Sequence, residues 1–330
     1  MRASAPPNIR SGCGGMLPII APLGLNWFYE DIATNLAQDL TAFGLPAMAR
    51  SSHDVDALGT QAGGTVLIVN YSECLIAAER AARRGELVAA LDAFEHRILV
   101  NYDTIYSHWF GNQFPSDAPP ITAIADLTMM RQVEAPLVRG VPYKWVPEAF
   151  SDRERATVRP WEAARPLPWA MLGHATADRA AFLSAAMAAL GSDGFAFLPP
   201  HRPFDRRSGF EAAEIARVLG RADLYLWSSH HNFPYHEGFR ALHAVAAGAV
   251  PAKVDPLNAG HFADVPWVYP NLEAVREARE RLGLAGLYRQ AFDFIEGHGR
   301  LAANVAEAIA PWYPAARALL SGGRRLEVVQ

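Results

Sequence analysis

Cysteine is nearly absent from this chain of 330 residues: Cys13 and Cys74 are the whole complement. Two thiols so far apart exclude a disulfide framework and a metal knuckle, and they fit a reducing cytoplasm. An excess of positive charge is lacking too, since 30 basic against 34 acidic residues leave a formal charge of −4. Without a basic field, nucleic acid is not the expected partner. No stretch approaches the ~20 apolar residues that a membrane span needs. The opening "MRASAPPNIRSGCGG" has no continuous apolar core of the kind a secretion signal carries and reads as a loose end. Solenoid repeats and low-complexity blocks are missing as well. A soluble, cytoplasmic protein is expected.

What is present is apolar residue, 51% of the chain, arranged in a regular alternation. Strand-like runs ("MLPIIAPL", "GTVLIVNY", "RILVNYD", "ITAIADLT", "VPYKWVPEAF") alternate with helical segments ("FYEDIATNLAQDLTAFG", "LIAAERAARRGELVAALDAFE", "MMRQVEAPLVRG"). This is the βαβ rhythm of a parallel sheet covered on both faces. Ile32, Leu36, Asp39 and Leu40 fall at helical spacing, and Gly44 marks the stop. At "SDRERATVRPWEAARPLP" the apolar period lapses, which predicts a connector. The alternation then resumes through "WAMLG", "DRAAFLSAAMAALG", "GFAFLPP", "EAAEIARVLGRA", "DLYLWSS", "VPAKVD" and "WVYP". The expected fold is α/β, with two tandem Rossmann-like domains and a cleft between them. Residues 1–150 form the first domain, 151–168 the linker and 169–330 the second, whose last helix can pack back on the first.

Open α/β sheets bind ligands beyond the carboxyl ends of their strands, so the loops at those ends are the candidates. In the second domain "HEGFRALHAVAAGAVPAKVD" starts a helix, and the backbone around Tyr235, His236, Glu237, Gly238 and Phe239 is expected to face the cleft, where a helix start favours phosphate. Arg240, His243 and Ala247 share one helical face, while Phe239, Leu242, Val245 and Ala246 share the apolar one. Arg240 is then placed to fork onto phosphate oxygens and His243 to bond a sugar hydroxyl. Gly248 serves either tight helix packing or the ligand. His230, His231, His236 and His243 raise a metal-dependent hydrolase as one alternative, but their spacing matches no metal motif and no metal is expected.

The segment Arg240-Ala-Leu-His243-Ala-Val-Ala-Ala-Gly248, followed by "AVPAKVD", resembles the R-x-x-E-A-x-A-x-G donor-nucleotide segment of GT-B glycosyltransferases, especially CgeB-like and group 1 members. "WAMLGHATADRAAFLSAAM" is similar to the strand, Gly-rich turn and Arg-bearing helix that open the second domain of that family, and "HFADVPWVYPNLEAV" to its later returning strand. The likeness covers the second half of the chain closely and the first by architecture. It implies a transferase that moves a sugar from a nucleoside-diphosphate sugar to an acceptor, with that sugar nucleotide as co-substrate and no other cofactor. Gly173, Arg179 and the 235–243 segment would hold the donor. Retaining members carry two glutamates eight positions apart, whereas this chain has Tyr235 and His243 there. The departure leaves the stereochemistry open and raises the alternative of a catalytically degenerate module that binds nucleotide or glycan.

In the first domain, Gly24 and Asn26 follow the first strand and are candidates for acceptor contact. Asp103 and His108 are candidate bases, with Trp109 beside them as a stacking platform. Asp103 could instead cap a helix from Thr104, and Asp126 has the same two readings. Alanine at position 240 is expected to weaken nucleotide binding while leaving folding nearly intact.

Overall fold

The computed structural model describes residues 16–58, 64–128, 137–200, 212–229 and 233–322. Its first lobe runs β1 (Leu17–Ala21), α1 (Trp27–Phe43), β2 (Ala47–Ser51), β3 (Thr65–Val69), α2 (Tyr71–Arg80), α3 (Arg84–Asp92), β4 (His96–Asn101), α4 (His108–Gly111), β5 (Ala123–Asp126), β6 (Leu137–Val138) and β7 (Val141–Trp145). Among the described residues these strands form one sheet in the order β2-β1-β3-β4-β5-β7-β6, parallel except for β6. β1 and β3 are buried at every position, because helices cover both faces. Strand alternation divides the side chains: Leu17 and Ile19 share a core with Leu36 and Leu40 of α1, whereas Ile20 joins Cys74 and Leu75 of α2.

The second lobe follows α5 (Asp152–Thr157) and contains β8 (Leu167–Leu172), α6 (Ala177–Leu190), β9 (Phe195–Phe197), α7 (Ala212–Leu219), β10 (Ala222–Ser228), α8 (Gly238–Ala246), β11 (Val250–Val254), β12 (Val268–Tyr269) and α9 (Leu272–Glu296). Its described strands form an all-parallel sheet, β12-β11-β10-β8-β9, around a core that includes Trp169, Leu226 and Val245. The chain closes with α10 (Leu301–Ile309) and α11 (Pro314–Ser321). Val305, Ile309 and Ala316 of these helices lie in the core of the first sheet with α1, so the chain passes between the lobes at α5 and again before α10. Two Rossmann-like α/β lobes are thus joined as the alternation predicts.

Local departures have local causes. The helix expected over "LIAAERAARRGELVAALDAFE" is broken at Ala82, whose φ is 57°. Arg83 turns back there to bond the His53 carbonyl and Asp56, and the second piece can then set Leu87 and Leu91 on the sheet. The helix expected over "MMRQVEAPLVRG" ends instead in β6, paired antiparallel with β7 through the turn at Arg139 and Gly140; its residues 129–136 lie outside the described residues, as do Cys13, His230 and His231. β2 is a half-buried edge strand, "AMARS", with no apolar run to announce it. The connector begins with α5, capped by Ser151 and Glu154 in a reciprocal capping box. That S-x-x-E pattern is a readable helix signal.

Candidate functional site

The loops that follow β1 and β4 meet those around the start of α8. Phe28 packs against Phe239 at 4.3 Å between ring centroids, and the Thr104 hydroxyl donates to the Pro234 carbonyl at 2.9 Å. The strand ends of both lobes therefore converge on one region.

On the second-lobe side the chemistry is concentrated at the end of β8. Arg240 does not face away from the core, as its helical position suggested. Its side chain is only 15% exposed, and it donates through Nε to Glu237 Oε1 at 2.9 Å and through Nη1 to the Leu172 carbonyl at 3.1 Å and the Tyr225 hydroxyl at 2.6 Å. Burial disfavours the guanidinium charge, but the Glu237 carboxylate and the Tyr225 hydroxyl more than offset this and hold its pKa above the ordinary value. Arg179 is buried beside it and donates to the His174 carbonyl at 2.9 Å. Burial and then the neighbouring Arg240 push the Arg179 pKa down. Gly173 underlies this group, since a Cβ there would stand 3.2 Å from the Arg179 guanidinium. Two cations thus lie side by side near the Glu237 carboxylate, and an incoming anion would be attracted to both.

The loop before α8 is clamped from below. Lys253, fully buried on β11, donates to the Tyr235 carbonyl and to Asp255 at 3.2 Å. Burial lowers its pKa, against the pull of Glu237 and Asp255. Glu237 takes a left-handed backbone conformation, φ 55°, as the residue before Gly238 opens the helix. His236 does not face the cleft. Its Nε2 accepts the Trp267 indole N–H at 3.0 Å and its ring lies among Phe262 and Trp267, so the imidazole belongs to the core. Burial, with Lys253 nearby, drives its pKa down to about 3. His243 diverges from Arg240 into a groove beside Asp31 and Asn35, and burial holds its pKa near 4. The apolar face of α8 is made by Ala241, Leu242, Ala244 and Val245 rather than by Phe239 and Ala246, which are half-buried. Gly248 serves packing: a side chain there would run into the Arg165 guanidinium and the Arg159 carbonyl.

The first lobe contributes a group of polar residues just beyond the ends of β1, β3 and β4. Asn26 caps α1 by accepting the Phe28 N–H at 3.2 Å and donates its amide to Glu73 Oε2 at 3.2 Å. Burial raises the Glu73 pKa to about 7, against hydrogen bonds from Asn26 and Asn70. Asp103 is not a helix cap. Ser107 caps α4, while Asp103 accepts the Thr104 N–H at 2.8 Å within the loop. Burial raises its pKa to about 6; the Thr104 and Ser107 bonds oppose this, and Glu237 of the other lobe reinforces it. His108 and Trp109 are exposed on α4, their rings 4.3 Å apart, and Gly24 is exposed in the β1–α1 loop. Asp126 is committed to the interior, accepting from Asn101 at 2.7 Å, Thr128 at 3.2 Å and the Tyr143 hydroxyl. Glu73, Asn70, Tyr225 and Lys253 are the polar residues that sequence reasoning missed. Only Asn70-Tyr-Ser-Glu73 carried a signal, the N-x-x-E start of a helix directly after a strand.

Among the described residues no three His, Cys, Asp or Glu side chains gather to hold a metal ion. The buried carboxyls also set a pH dependence. Asp126 and Glu73 titrate near 7, and burial holds Glu148 well above the usual carboxylate range, so the folded state binds more protons than the unfolded one. Acids with raised folded pKa values lose stability as pH rises. The depressed histidines act oppositely, but only below about pH 6.5, where an unfolded histidine is protonated. Between about pH 7 and 8 that opposition is largely spent, and unfolding free energy should fall by on the order of 1 kcal/mol. Urea unfolding across that range checks it; a flat or rising midpoint contradicts it.

No family model matches the sequence, and no curated protein matches it. Among solved structures the chain is similar to the spinosyn rhamnosyltransferase SpnG, at 14% identity and a TM-score of 0.46 over 90% of this chain and 100% of that one. It is similar also to a glycotransferase of kitacinnamycin, at 12% identity and a TM-score of 0.46 over 91% of this chain and 98% of that one. A third, the glycosyltransferase SnogD from Streptomyces nogalater, shows 14% identity and a TM-score of 0.39 over 90% of this chain and 98% of that one.

Proposed function

We propose that the protein transfers a glycosyl group from a nucleoside-diphosphate sugar to an acceptor hydroxyl at the meeting of its two lobes. The observation that carries this reading is the placement of Arg179 and Arg240 side by side at the end of β8, both within electrostatic reach of Glu237. In this reading the diphosphate lies against Arg179 and Arg240, over Gly173. Tyr235, Gly238 and Phe239 border it, and Glu237 positions Arg240. His236 supports the loop from the core, and His243 lies outside the donor pocket.

The acceptor enters beside the first-lobe group of Gly24, Asn26 and Glu73, with Trp109 at its rim. Asp103 takes the proton of the acceptor hydroxyl as that oxygen bonds the anomeric carbon. The bond from that carbon to the diphosphate breaks, and the departing oxygen carries the electron pair towards the two arginines. Inversion at the anomeric carbon follows. Tyr235 and His243 stand where retaining members of the resembled family have glutamates, which favours the same outcome. His108 is exposed and contributes at the rim rather than as the base.

A thermal-shift screen of uridine, guanosine, thymidine, adenosine and cytidine diphosphates and their sugars tests the donor assignment. Binding to the folded state raises the melting temperature by mass action, so one base should stand out. A screen in which none of these compounds shifts the transition contradicts the reading.

A further inference from the structure

A second concave feature lies between α1 and α5 on one side and α7 and α8 on the other, a groove of about 570 Å³. Phe28 precedes Asp31 and Phe239 precedes His243 by about one helical turn, so the Phe28–Phe239 contact lies about one turn from the groove lining, and neither Arg179 nor Arg240 is part of that lining. Arg153, Arg159, Arg217 and Arg221 line it, with Asn35 and His243. The acidic residues on its wall are engaged. Asp31 lies 3.6 Å from Arg153 and accepts from the Asn35 amide at 3.2 Å, and the Glu154 carboxylate takes the Ser151 N–H and hydroxyl. Among the described residues, Arg159, Arg217 and Arg221 have no acidic partner within ion-pair distance.

The end of α8 does not account for these arginines, because Arg165 already donates to the Leu219 and Ala247 carbonyls at 3.2 and 3.1 Å. Arg159 is held in place by its backbone: its N–H donates to the Ala246 carbonyl at 3.0 Å and its carbonyl accepts the Tyr288 hydroxyl at 2.9 Å. Three exposed guanidinium groups line one groove, and a multivalent anion between them would be attracted to all three. We propose that this groove is a binding site for a small molecule bearing two or more linked phosphates, distinct from the strand-end site of Arg179 and Arg240. The volume falls within the ~300–1,000 Å³ of small-molecule sites. Guanidinium forks match phosphate oxygens, while the neutral His243 imidazole offers a hydrogen bond to a hydroxyl beside them. Both lobes supply walls, so the occupant would tie them together. The inference is independent of the donor assignment.

Calorimetric titration of the full chain with inorganic tripolyphosphate, in buffer of physiological salt, tests it. The wild type should bind, and the exposed-residue variant R217A/R221A should bind roughly tenfold or more weakly with an unchanged melting temperature. Arg179→Met, which alters only the strand-end site, should remove any binding event there and leave in place the event that R217A/R221A weakens. No binding to the wild type, equal affinity in R217A/R221A, loss of that event in Arg179→Met instead, or tighter binding of citrate than of tripolyphosphate would each overturn the proposal. Failure of the groove leaves the diphosphate screen untouched, so the two readings are separable.

Discussion

Replacing Arg240 with alanine is expected to lower unfolding free energy by roughly 3–5 kcal/mol, the usual consequence of removing one member of a buried ion pair. The Glu237 carboxylate, on a side chain 4% exposed, loses the Arg240 donor, and so do the Tyr225 hydroxyl and the Leu172 carbonyl. The helical position of Arg240 alone suggests a solvated side chain whose loss spares the fold. Its three internal bonds reverse that expectation. Because typical domains are stable by only ~5–15 kcal/mol, the single variant will be difficult to assay for binding. Replacing the pair together, as E237Q/R240M, removes both charges and should restore much of the stability while abolishing diphosphate affinity. Chemical unfolding of the two variants is the measurement; an R240A midpoint equal to that of the wild type contradicts the buried pairing.

The second large effect concerns Asp103. Asp103→Asn should reduce the transfer rate by roughly 10²–10⁴-fold, the range that general-base catalysis contributes. The fold should not suffer. The asparagine carbonyl can still accept the Thr104 N–H, and a neutral side chain avoids the burial that raises the Asp103 pKa to about 6. The wild-type rate at saturating acceptor should rise through pH 6 as the carboxyl ionises, and this limb should vanish in the variant. A variant that transfers at the wild-type rate, or an unchanged pH profile, would remove Asp103 from the chemistry. His108→Ala, by contrast, should leave the pH limb in place, since His108 is exposed on α4.

Much of the fold was legible because burial on both faces writes itself as uninterrupted apolar runs. β1 is such a run, β3 is one from Val66 and β10 from Leu224 to Trp227, and all three strands are buried throughout. β2 was not legible, since an edge strand needs no such run, and the break at Ala82 depends on contacts of Arg83 with residues near 53–56. The site was legible only in part. Position after a strand brought out Asp103 and Arg240, but their environments are set by distant partners. Tyr225 and Leu172 reach Arg240 from other strands, and Glu237 reaches Asp103 from the opposite lobe. Lys253 shows the same limit: "VPAKVD" marks only a strand, yet the lysine in it is fully enclosed under the loop that opens α8. Helical spacing puts Arg240 and His243 on one face but does not say which element covers it: Arg240 lies against β8 and β10, and His243 lines the groove with Asp31 and Asn35.

The central claim is that Arg179 and Arg240 at the end of β8 receive a nucleoside diphosphate. The most direct test is calorimetric titration of the wild type and of Arg179→Met with whichever diphosphate shifts the thermal transition most. One equivalent should bind the wild type, with affinity falling roughly tenfold or more in the variant. Equal affinity in the two proteins would contradict the account.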